Sequence, residues 1–359
     1  MLVGEARRGV VNVVLRAVVA SVLAVAIAGC GATFSSSSQP NEVEELRVVA
    51  TTSILADVAR HLVGEAGNVD ALMQVGTDPH AFRPSAAEVR RLEEADLVVA
   101  NGLGLEEALL DALAAAEQRG AKVLRVAEKV DPLPFRASQP GHLDEHDHAA
   151  QAGEVASEVG QPDEHEHARQ AGEVASEAGH GSLDPHFWQD PLRMVEAVKV
   201  IKDGLVAADQ NAAATIAANA DAYSAALADL HASVEQILAA VPPSNRKLVT
   251  NHETLSYFAA RYGFDIIATV VPGGGTLAHT SSRQLAELAA TMRRAGVGAI
   301  FVETTSSPRL AEALSQELDG QVEVVELYTD SLGPEGSEAG TYLDMMRTNA
   351  RRIADALRT

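Results

Sequence analysis

Four side chains in this 359-residue sequence stand where a divalent cation could be held. His80 closes the run Asp78-Pro79-His80. His186 closes Asp184-Pro185-His186 inside DPHFWQDP, the stretch that also carries the only tryptophan, Trp188. A proline before a histidine fixes the backbone just ahead of the imidazole, which suits a ligand that must point one way. Either run alone reads as a surface turn; the pair reads as two loops that share one metal. His252 directly follows the apolar run LVTN, and Asp330 follows VEVVEL, within YTDSLG. Three imidazoles and one carboxylate suit zinc in tetrahedral geometry, whereas manganese prefers more oxygen ligands. Four protein ligands leave no open position for an activated water, which argues against hydrolysis. Glu303, at the end of AIFV, is a fifth polar residue at a strand end, as a substitute ligand or as support behind one.

These residues need elements to position them, and the hydrophobic pattern supplies two sets. Short apolar runs with β-branched residues predict strands over Leu46–Thr51, Val69–Val75, Asp96–Ala100 and Lys122–Val126. Between them lie helical periodicities: one opening at Ser53 as N-cap, one capped by Ser85 and running to Glu93, and one over Leu105–Gln118. The same plan returns later. Strands are predicted over Lys247–Asn251, Ile266–Val271, Ala299–Val302 and Val322–Leu327, and helices over Thr254–Tyr262, Ser282–Ala295, Pro308–Leu318 and Tyr342–Arg358. Alternating strands and helices imply an α/β fold with parallel sheets covered on both faces, and ligands sit beyond the carboxyl ends of such strands. Between the halves, Pro191–Val206 reads as a helix. A longer one over Ala212–Ala240 would span roughly 40 Å, which suits a rigid strut joining two lobes; Pro242 and Pro243 end it. The expected organisation is therefore an N-terminal lobe over 46–211, a linking helix over 212–241 and a C-terminal lobe over 242–359, with a metal cleft between two four-stranded parallel-sheet lobes.

Composition bounds the partners. A net charge of -22 argues against nucleic acid and is compatible with binding cations. At the N-terminus, Arg7 and Arg8 precede an apolar stretch that ends Ile27-Ala28-Gly29-Cys30, and Ser35–Ser38 follow at once. This reads as a lipoprotein signal over 1–29, with Cys30 the lipidated residue and 30–45 a flexible tether. The chain would work outside the cytoplasmic membrane, anchored to it by lipid, as a monomer. Residues 137–182 form a different tract, rich in His, Asp and Glu. Asp144–Gly160 recurs as Asp163–Gly179 with changes only at Asp147/Glu166, Ala150/Arg169 and Val159/Ala178, so the tract is a tandem duplication. With so little apolar content it is expected to be a disordered loop. Its histidines, His142, His146, His148, His165, His167 and His180, sit among carboxylates and would bind divalent cations weakly. His61 and His231 fall on predicted helices and read as packed or solvated, while His279 lies near the loop Gly273-Gly274-Gly275.

Taken in order, VVATTSILAD, DPHAFRPS, the acidic His-rich insertion, DPHFWQDP, the long helix with Asn219 and Tyr223, TNHETLSYFAARYG, FVETTSSP and YTDSLG resemble the solute-binding proteins of metal ABC importers, the zinc and manganese group. The resemblance runs from about Leu46 to Thr359. It implies two four-stranded lobes joined by one long helix, an ABC permease as partner, and His80, His186 and His252 as ligands with Asp330 as the fourth. Manganese-binding members usually carry Glu where this sequence has His252, and the His-rich insertion is typical of zinc members, so zinc is the implied cargo. Some zinc members replace the YTDSLG carboxylate by another group or by water. Against this reading stand a manganese or iron homologue, a zinc hydrolase with Glu303 as general base, and a surface adhesin or metal buffer that works through its acidic loop.

Overall fold

The computed structural model describes residues 46–135, 183–278 and 280–358. The signal segment, Cys30, the tether, the His-rich tract with its six histidines, and His279 lie outside the described residues. Among the described residues no helix is long and apolar enough to cross a membrane.

Two parallel sheets carry the architecture. The first contains β1 (Leu46–Ala50), β2 (Gly67–Ala71), β3 (Leu97–Ala100) and β4 (Lys122–Arg125), in the order β2-β1-β3-β4. Val48 sits opposite Val69 on one side and Leu97 on the other. The second contains β5 (Lys247–Thr250), β6 (Asp265–Thr269), β7 (Ala299–Glu303) and β8 (Glu323–Leu327), in the equivalent order β6-β5-β7-β8. Every residue of β3 and of β7 is buried, as expected for central strands covered on both faces. In each sheet the chain steps to one side of its first strand and then to the other, so a switch point opens between β1 and β3 and another between β5 and β7. Loops at such points diverge and leave a crevice beyond the strand ends.

Helices α1 (Ser53–Val63), α2 (Ala86–Glu93) and α3 (Leu110–Gln118) belong to the first sheet. Helices α6 (Ser256–Tyr262), α7 (Ser282–Ala295), α8 (Arg309–Glu317) and α9 (Tyr342–Leu357) belong to the second. Between the two sets run α4 (Pro191–Ala208) and α5 (Ala213–Leu238). The expected strut is α5, shorter than predicted by a residue or two at each end. Its buried stripe, Ile216, Ala220, Tyr223, Leu227, Leu230, Val234 and Leu238, recurs every three or four residues. The stripe packs on α1, α4 and α9, within one core that also takes in Val48 from the first lobe and Phe258 from the second. The lobes therefore share a hydrophobic interior, and α5 is buried along one face for its whole length. Asn219 donates from this helix to the Leu62 carbonyl at 3.1 Å, and His61 stacks on Tyr223 at 4.7 Å.

Two local expectations are corrected. Thr52, not Ser53, caps α1: its hydroxyl accepts from Leu55 N at 3.2 Å, and its extended backbone (φ -110°, ψ 157°) is that of a capping residue. Ser53 is already inside the helix, and its hydroxyl turns to the second lobe, where it accepts from Leu332 N at 3.1 Å. The strand predicted to reach Val75 stops at Ala71. Leu72 and Met73 stay buried and bond back to Ala50 and Thr51, but the chain then peels away from the sheet and Val75 is exposed.

Candidate metal centre

Each candidate ligand is held by a short local device. In the first loop the carboxylate of Asp78 accepts from the backbone N–H of His80, two residues on, at 2.9 Å. Asp184 does the same for His186, also at 2.9 Å. Both Asp-Pro-His runs are therefore Asx turns, in which an aspartate closes the backbone on itself and aims the residue two places later. The second Asp78 oxygen accepts from Thr276 of the other lobe at 2.6 Å. The Asp184 carbonyl accepts from Tyr257 on α6 at 2.9 Å. Asn101, just beyond β3, donates to the Pro185 carbonyl at 3.1 Å, and its own loop is tied by Glu106. The chain on either side of the His-rich tract is joined as well, by a bridge between Pro134 and Leu183 and a bond from Asp184 N to the Leu133 carbonyl at 2.7 Å. The His186 turn is thus anchored independently of whatever length of chain lies between residues 135 and 183.

The second lobe supplies its residues at the β5/β7 switch point. His252 comes two residues after β5, and the Thr250 hydroxyl donates to its carbonyl at 2.7 Å. Glu303 ends β7; one of its oxygens is in close contact with His252 Nδ1, and the other accepts from Asn251 at 3.1 Å. Asp330 lies beyond β8, where Thr254 donates to its Oδ1 at 3.2 Å.

The four side chains converge. His80, His186, His252 and Asp330 are all buried, and each offers a ligand atom within 4.8 Å of the others. His186 Nε2 lies 3.3 Å from His80 Nε2 and 3.4 Å from His252 Nε2, and Asp330 Oδ2 lies 3.7 Å from His252 Nε2. A tetrahedron built on metal–nitrogen bonds of about 2.0–2.1 Å has edges of about 3.3–3.4 Å. The nitrogen separations match those edges. The opposite ring nitrogens explain the orientation. His186 Nδ1 is 2.7 Å from Asp184 Oδ1, and His252 Nδ1 meets Glu303. A carboxylate at Nδ1 keeps the proton there and turns the Nε2 lone pair inward, the usual support behind a metal-bound imidazole. Lone pairs facing one another at such distances need a cation or a shared proton between them.

The electrostatics say the same. Burial disfavours charge on His252, yet Glu303 and Asp330 beside it outweigh this and lift it to about 9. Burial pushes Asp330 up to about 7, partly offset by His252. Burial likewise raises Asp184 to about 7. For Glu303, burial acts upward, but His252 wins and holds the carboxyl below its ordinary value. The cluster is a buried pocket of carboxylates and imidazoles that retains protons at neutral pH, and a dication can take their place.

A family model described as zinc-uptake complex component A, periplasmic, matches residues 48–356. The chain belongs to that family. Its relatives include the manganese-binding lipoprotein MntA of Halalkalibacterium halodurans, 29% identical over 337 residues, covering 94% of this chain and 96% of that one. The zinc-binding protein TroA of Treponema pallidum is 26% identical over 314 residues, 86% of this chain and 88% of its own. The solved structure of the periplasmic zinc binding protein TroA superposes with a TM-score of 0.69 at 26% identity, over 87% of this chain and 99% of that one. The family comprises solute-binding proteins of metal ABC transporters, not enzymes, so the zinc-hydrolase alternative is set aside. Its proposed base was already committed, since both Glu303 oxygens are engaged by His252 and Asn251.

Trp188 is buried at the lobe interface, its ring 5.2 Å from that of His186. Tyr257 and Phe258 are core residues, although the Tyr257 hydroxyl also reaches the His186 turn. His231 stands apart on α5, 3.3 Å from the Tyr262 hydroxyl. Gly274, in the triple-glycine loop, lies against the Phe135 ring, where an added Cβ would sit 2.2 Å from a ring carbon. Sequence reasoning missed Asp78 and Asp184, which aim the histidines. The available signal was the aspartate two places before each histidine, whereas the reading credited the proline between them. It also missed the inter-lobe pair of Arg261 on α6 and Asp190, the cap of α4, joined by bonds of 2.7 to 3.0 Å. No local pattern carries that pair, because it depends on where α6 docks.

Proposed function

We propose that this chain captures zinc between its two lobes, with His80, His186, His252 and Asp330 as the ligands, and delivers it to the permease of an ABC importer. The observation that carries the reading is the convergence of three imidazoles and one carboxylate oxygen, with His186 Nε2 at tetrahedral-edge separations from both His80 Nε2 and His252 Nε2. Nitrogen-rich ligation favours zinc over manganese, which prefers more oxygen. Glu303 acts from behind, orienting His252. Lipidation at Cys30 would hold the protein at the outer side of the cytoplasmic membrane, with 30–45 as the tether. The histidines of the 137–182 tract would gather zinc weakly near the cleft and leave its tight binding unaltered.

Manganese is the second reading, because relatives named for manganese and for zinc both match this chain. Raw competition favours zinc over manganese at almost any such site, so the metal carried by protein purified without chelator decides between them. Protein from cells grown with both metals available should hold zinc. Purification with manganese bound would replace zinc as the cargo.

A further inference from the structure

The segment that carries His186 ends in two residues that cross to the other lobe. Trp188 Nε1 and Gln189 Nε2 both donate to one atom, the carbonyl oxygen of Thr329, at 2.6 and 2.9 Å. Thr329 directly precedes Asp330. All three residues are buried, and the Trp188 carbonyl is itself held by the Tyr342 hydroxyl at 2.7 Å. A carbonyl oxygen has two lone pairs, and here consecutive residues of the facing lobe use both. The carbonyl of Thr329 and the N and Cα of Asp330 lie in one rigid peptide plane. Fixing that oxygen therefore orients the backbone from which the Asp330 side chain springs. On the other side of the junction, Trp188 and Gln189 stand two and three residues after His186.

We infer that Trp188 and Gln189 are positioning residues: by gripping the Thr329 carbonyl they hold the Asp330 carboxylate in register with His186 and so set how long the metal stays bound. The inference rests on the ligand assignment proposed above. Neither residue is among the four proposed ligands. Their effect passes through one peptide plane, which separates this role from general adhesion between the lobes. Adhesion alone would change the stability of the metal-free protein and leave the geometry at Asp330 as it is.

The test uses the full mature chain loaded with zinc or cobalt. Gln189→Met keeps the volume and removes the donor; Trp188→Phe keeps the aromatic bulk and removes the indole N–H. A lost hydrogen bond near 1 kcal/mol corresponds to roughly a fivefold rate change, so the double variant should release zinc to a chelator at least about tenfold faster. Its cobalt absorption spectrum should shift in the same sense as that of Asp330→Ala. Zinc release within about twofold of the parent and an unchanged cobalt spectrum in the double variant, while Asp330→Ala still accelerates release, would overturn the inference. If Asp330→Ala leaves release and spectrum unaltered, the ligand assignment itself fails and this inference falls with it. Should Trp188→Phe not fold, Gln189→Met alone decides, with a several-fold faster release expected and a parental rate refuting.

Discussion

Glu303 offers the sharpest perturbation of the centre, because it is buried, touches no proposed metal position and does two separable things. It fixes the His252 ring so that Nε2 faces inward, and it places a negative charge behind that ring. Glu303→Gln keeps the shape and an oxygen that accepts from Nδ1, but it removes the charge. Glu303→Leu removes both. Loss of a carboxylate behind a metal-bound imidazole typically lowers affinity about 10- to 100-fold. The isosteric change should therefore sit near tenfold, about 1.4 kcal/mol, and the leucine variant near a hundredfold, about 2.7 kcal/mol. Partial relief comes from His252, whose proton is held by Glu303 first and Asp330 second once burial is overcome. Without Glu303 less proton must be displaced, which keeps the loss at the lower end for Gln. The assay is zinc affinity by chelator competition at fixed pH, with metal-free melting as a control on folding. Parental affinity in Glu303→Leu would refute the orienting role. A loss far beyond a hundredfold in Glu303→Gln would make Glu303 a ligand instead.

Other outcomes follow from the same geometry. Zinc binding should weaken as pH falls. His252 keeps its proton up to about 9 and must surrender it at neutral pH, and Asp330, at about 7, adds a second proton below that point. Calorimetry in buffers of different ionisation heat should register that proton release, and a pH-independent affinity from about 6 to 8 would contradict it. Deleting residues 142–180 should leave one tight zinc site, because the His186 turn is closed by the Pro134–Leu183 bridge and its Asx bond; calorimetry that finds the tight site gone would show the tract to be part of it. Arg261→Lys should cost about 1 kcal/mol of stability in denaturant unfolding, since an ammonium cannot reproduce the two-pronged contact with Asp190 and the pair is only part-buried. An unchanged midpoint would show that pair to be idle.

What the sequence made legible, and what it did not, divides along physical lines. The strand LVVA was readable because a central parallel strand is continuously apolar, and LRVVA departs from that pattern only at the exposed Arg47. The end of β2 was misread because Leu72 and Met73 remain buried after the sheet pairing stops, so the apolar run outlasts the strand. Thr52 and Ser53 carry equivalent hydroxyls side by side, and only the backbone angles decide which one caps. The four converging residues were legible because each follows a strand end or an Asp-Pro turn, where side chains point into a crevice. Their supports split by range. Asp78 and Asp184 act two residues away and lay within the quoted motifs. The ties from Tyr257, Arg261, Tyr342 and Thr329 to the DPHFWQDP segment join residues far apart in sequence. They arise from lobe docking, which no spacing encodes.

Binding of a zinc ion by three imidazoles and one carboxylate is open to X-ray absorption at the zinc edge, on protein loaded with one equivalent and lacking residues 142–180. Four nitrogen and oxygen neighbours at about 2.0–2.1 Å are expected, with the outer-shell scattering of imidazole rings reduced when His252 is replaced by Ala. A six-coordinate, oxygen-dominated shell, or a spectrum that His252→Ala leaves unchanged, would contradict it.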